Sequence, residues 1–64
     1  MSGVALPLTK ESAAEHVQTQ SGGKILSVDE KQEGTKLLFK VKVLHDDGKI
    51  KVYQMDAETG LEVQ

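Results

Sequence analysis

The strongest pattern in the chain is a strict alternation near its middle. Leu37, Phe39, Val41 and Val43 alternate with Leu38, Lys40, Lys42 and Leu44, which is the period-two signature of a strand with one buried face. Asp46-Asp47-Gly48 follows, acidic residues before glycine being a hairpin turn signal. A third strand is predicted from Lys49 to Met55. Asp56-Ala57-Glu58-Thr59-Gly60 then makes a second tight turn, leaving Leu61-Glu62-Val63 for a short fourth strand. Upstream, Ile25, Leu26 and Val28 open a first strand that turns polar through Asp29–Gln32 and ends at a Glu33-Gly34 turn.

Ahead of the strands the period changes. Ala13, Ala14 and Val17 give the narrow apolar stripe of a helix from Lys10 to Ser21. Thr9 suits the N-cap, because its hydroxyl can accept from an orphan amide of the first turn, and Glu11 favours the positive helix end. Leu8 and Ala13 fit a hydrophobic staple across that cap. Ser21-Gly22-Gly23 stops the helix, glycine supplying the left-handed residue. Residues 1–8 read as an extended lead-in, with Pro7 holding Leu6 away from helical geometry. So short a helix with so small an apolar face needs a sheet to lie on. The expected fold class is α+β: one N-terminal helix packed on a three- to four-stranded antiparallel meander, in one domain over residues 9–64.

The turn at Asp46-Asp47-Gly48 decides which side chains share a face. A three-residue loop with Gly48 left-handed sets Phe39 opposite Met55 and Val41 opposite Tyr53. A loop of two or four residues would move Ile50 to the core side. Two acidic residues before glycine favour the three-residue loop. In that register Leu38, Leu44, Ile50 and Val52 lie on the face away from the helix, among lysines. That face is more apolar than a purely solvated one should be, so these four are the candidate protein-contact residues.

Composition narrows the chemistry. Sixty-four residues lie near the lower limit for a self-sufficient core, and without cysteine there is no disulfide or thiolate ligand to help. Eight basic against ten acidic residues give a net charge of −2, and only Phe39 and Tyr53 are aromatic, which argues against nucleic-acid binding. The hairpin lysines Lys36, Lys40, Lys42, Lys49 and Lys51 read instead as guards against edge pairing. His16 and His45 lack ligand spacing, and the two acidic turns lack the donor pattern of a calcium loop, so no metal is expected. No serine or threonine has the surroundings of an activated nucleophile. The chain is expected to be no enzyme and to need no cofactor. No apolar run approaches the roughly 20 residues of a membrane span. The opening, Met1 to Pro7, has neither a basic leader nor a long apolar stretch and is not expected to be an intact signal peptide.

The stretch from Val52 to Val63 resembles the C-terminal signature of the PepSY domain: a strand ending in an apolar residue, then Asp-Ala-x-Thr-Gly, then a short apolar strand. Asp56, Ala57, Thr59 and Gly60 carry that motif here. Leu8-Thr9-Lys10-Glu11-Ser12-Ala13 is similar to the family's opening, Gly22-Gly23-Lys24-Ile25 to its helix-to-strand junction, and Phe39-Lys40-Val41-Lys42-Val43 to its central strand. Met55 departs from the usual β-branched residue, although a flexible thioether fits the same slot. The resemblance spans residues 8–63. It implies a helix on a small antiparallel sheet and an exported, periplasmic or secreted, protein. It also implies a non-catalytic partner of other proteins, with peptidases as the usual target through inhibition or assisted folding. No catalytic, cofactor or metal residue comes with it. A structural domain that associates with itself, through a homodimer seam on the same four residues, is the alternative of a different class.

Overall fold

The computed structural model describes residues 6–63, so most of the expected lead-in, residues 1–5, lies outside the described residues. Thr9 starts the helix α1 (Lys10–Ser21) with a reciprocal cap. Its hydroxyl accepts from the Ser12 amide at 3.1 Å, while the Ser12 hydroxyl accepts from the Thr9 amide at 2.8 Å. Two orphan amides are thereby satisfied, with serine in the place that glutamate usually takes. Leu8 and Ala13, the two halves of the staple, are both buried in the core. Gly22 ends the helix at φ 71°, its amide donating to the Gln18 carbonyl at 2.9 Å.

Three antiparallel strands follow, β1 (Lys24–Glu33), β2 (Lys36–Leu44) and β3 (Ile50–Asp56), in the sheet order β1-β2-β3. This is the α+β meander that the spacing predicts. The expected fourth strand is reduced to one bridge, Met55 opposite Glu62. β2 is central because both its edges are paired and one of its faces lies under α1. Phe39, Val41 and Val43 are fully buried beneath α1 and contribute the bulk of the core with Val17, Met55, Leu8, Ala13 and Ala57. Burying each of those three large side chains stabilises the fold by about 1.5–3 kcal/mol.

β1 contains a feature that the alternation does not predict. Its register against β2 shifts between Ile25 and Ser27, so Leu26 is an extra residue in a bulge. Ile25 and Val28 both pack against the core although they are three apart. A regular strand would put them on opposite faces.

The junction between α1 and β1 is tight. A Cβ placed on Gly23 would collide with the Val43 side chain and stand 2.8 Å from the Leu44 carbonyl oxygen. Glycine is required there by proximity, since the backbone of the junction lies directly on β2. Gly23→Ala is expected to lower stability by about 1–3 kcal/mol, read as an earlier midpoint in urea with an unchanged slope. An unchanged midpoint would show that the junction does not approach β2 so closely.

Candidate functional site

α1 covers one face of the sheet and leaves the other open. The cross-strand register places the open-face side chains in rows. Lys24, Leu44 and Ile50 form one row, Ser27, Lys42 and Val52 the next, Asp29, Lys40 and Gln54 a third, and Lys31, Leu38 and Asp56 the last. The pairs Phe39–Met55 and Val41–Tyr53 are those of the three-residue turn. His45 and Lys49 stay hydrogen-bonded at 2.9 Å around it, and Gly48 sits at φ 84°. Asp47 braces the turn by accepting from the Lys49 amide at 2.9 Å.

Three of the four candidate contact residues form a continuous strip. Ile50 is 56% exposed and Val52 51% exposed, with Leu44 half-buried beside Ile50. Leu26, at the bulge next to core-packed Ile25, is also exposed, at 44%. Leu38 does not belong to the strip. It is only 4% exposed, and its same-face neighbours are Lys31, Lys36, Lys40 and Asp56. Long charged side chains cover an aliphatic neighbour with their stems while their heads reach water. Lys36 stretches this way towards Asp56, with 3.9 Å between Nζ and Oδ2.

The Asp56–Gly60 turn is built as turn chemistry requires. The Asp56 carboxylate accepts from the amides of Glu58 at 2.8 Å and Thr59 at 3.3 Å. The Thr59 hydroxyl accepts from the Leu61 amide at 3.2 Å, and Gly60 takes φ 73°. Buried Ala57 ties three segments together. Its amide donates to the Leu37 carbonyl at 2.9 Å, and its carbonyl accepts from the Leu8 amide at 2.7 Å. The four motif residues therefore hold the lead-in, the start of β2 and the returning chain in one place.

The two histidines serve separate neighbourhoods. His45 lies 3.1 Å from the Tyr53 hydroxyl, next to the turn. His16, on α1, lines an open groove of about 170 Å³ together with Val17, Gln20, Tyr53, Met55, Leu61 and Glu62, of which Val17 and Met55 are buried. The groove exists because α1 packs chiefly on β1 and β2, leaving β3 partly uncovered on the helix side. Nothing in the sequence periodicity reports that sideways offset. Among the described residues no three His, Cys, Asp or Glu side chains come together as a metal site, and no helix is long and apolar enough to cross a membrane.

Asp56→Ala is expected to destabilise the domain by about 1.5–3 kcal/mol, because two amides lose a charged acceptor. Thermal unfolding followed by circular dichroism measures this, and Asp56→Asn should recover part of the loss by keeping one acceptor oxygen. A melting temperature unchanged in Asp56→Ala would show the turn to be held by its backbone alone.

No family model, no curated protein and no solved structure matches the chain, so its function is argued from its own residues.

Proposed function

We propose that this protein is an exported PepSY-type binding module that acts on another protein without catalysis, a peptidase being the partner class that the resemblance implies. The observation that carries the reading is the apolar strip of Leu44, Ile50 and Val52 on the open face. Solvent has no use for two β-branched residues more than half exposed on adjacent rows, whereas a protein surface does. The ordered motif set from Leu8 to Val63 supplies the family side of the argument.

The same strip would serve equally as a seam between two copies, which is the structural, self-associating alternative. Light scattering coupled to gel filtration separates the two: a monomer at high concentration supports the binding module, and a stable dimer supports the seam.

Ile50→Lys and Val52→Lys test the site itself. Each is expected to weaken capture of a partner from the exported proteins of the source organism by about tenfold or more, as loss of an apolar anchor does. Each should leave stability within about 0.5 kcal/mol of the parent, as substitutions at exposed positions do. Unfolding by either change would place these residues in the core and end the proposal.

A further inference from the structure

The sheet has two outer edges, and they differ in how they are defended. The β1 edge carries a bulge at Leu26 and then Asp29, Glu30, Lys31 and Glu33, so geometry and charge both discourage pairing. The β3 edge has no bulge along Ile50–Val52 and a single charged side chain there, Lys51. Hydrogen bonds at its two ends fix the direction of every backbone group. His45 donates to the Lys49 carbonyl and Ala57 donates to the Leu37 carbonyl, so odd-numbered residues of β3 bond to β2 and even-numbered ones point outward. Two of the outward residues are occupied: Asp56 donates to the Leu61 carbonyl at 2.9 Å, and Gln54 accepts from the Val63 amide at 2.7 Å. The outward groups of Ile50 and Val52 have no partner among the described residues.

The register argues against a second copy as the partner of this edge. Antiparallel self-pairing centred on Lys51 would set Lys51 directly opposite its own counterpart, and like charges so placed repel. Self-pairing centred on Val52 would set Ile50 against Gln54, whose outward carbonyl Val63 already holds. The edge instead suits a foreign strand. Apolar residues of that strand would face Ile50 and Val52 on the open side, and an acidic residue between them would face exposed Lys51 on the helix side. The returning segment Leu61–Val63 closes the far half of the edge and keeps the site short.

We propose that the free edge of β3 at Ile50–Val52 captures an extended segment of a partner protein, reading apolar–acidic–apolar, by strand addition. This rests on the protein-binding reading above and specifies its mode: main-chain bonds from the edge and side-chain contacts from the strip.

The test uses the chain of residues 1–64, labelled with ¹⁵N, and a blocked peptide of about six residues alternating valine and glutamate. Addition of the peptide should shift the amide signals of residues 50–53 and slow hydrogen exchange at Ile50 and Val52. Lys51→Glu should bind that peptide about five- to tenfold less well and instead favour a valine–lysine peptide. Val52→Pro removes an outward donor without touching the bonds to β2, and should abolish binding. If Val52→Pro fails to fold, the exchange of preference in Lys51→Glu decides. Shifts confined to Asp29–Glu33, no response to either peptide, or concentration-dependent protection of Ile50 and Val52 without peptide would each overturn the proposal. If the peptide fails while Ile50→Lys still impairs partner capture, strand addition is wrong and the open-face reading stands. If Ile50→Lys and Val52→Lys leave partner capture intact, the open-face reading itself fails.

Discussion

Gly48, at φ 84°, closes a turn around which His45 and Lys49 remain hydrogen-bonded, and every side chain of β3 takes its face from that closure. Strand geometry makes the choice binary: one residue more or less in the turn would exchange the two faces of β3 completely. With the three-residue turn, Tyr53 and Met55 join the helix side, and Ile50 and Val52 are committed to the open side. Asp47 holds the turn in that form through the Lys49 amide. A surface property of the protein, its apolar strip, is thus set by a backbone conformation some residues away.

The remaining architecture follows from having only one helix. α1 can cover one face of a three-stranded sheet, and it lies over β1 and β2, where Phe39, Val41 and Val43 need it most. Small domains keep only a few kcal/mol in hand, so side chains near the perimeter are covered by whatever is at hand. Leu38 is buried among the charged neighbours Lys31, Lys36, Lys40 and Asp56, and Ala57 is tied to the lead-in and the start of β2. No comparable cover reaches Ile50 and Val52. They stand beside a strand edge whose outward backbone groups are also unpaired among the described residues, so an apolar surface and a hydrogen-bonding edge coincide.

Much of this was legible in the residues because it is local. The Thr9 cap, the Gly22 stop, the alternation of β2 and the Asp56 turn each follow from interactions within a few positions, and the turn chemistry of Asp46-Asp47-Gly48 indicated the register. The bulge at Leu26 was hidden because a run of apolar residues reads as a strand whichever way its members point, although the odd spacing of Ile25 and Val28 was a trace of it. Leu38 lies on the expected face but is buried there, because period two reports the face a side chain is on and is silent on how its neighbours pack around it. The groove beside His16 depends on where α1 sits across the sheet, a tertiary quantity with no sequence period. Gly23 was visible as a helix stop, and its close approach to β2 was not.

The central claim is that β3 presents its even-numbered residues outward and Ile50 and Val52 to the open face. Amide hydrogen exchange along β3 in the free protein tests it most directly. Tyr53 and Met55, bonded to β2, should exchange slowly, while Ile50 and Val52 exchange close to the rate of an unprotected strand edge. Slow exchange at Ile50 and Val52 with fast exchange at Tyr53 would mean that the turn closes in another register, with the strip folded into the core.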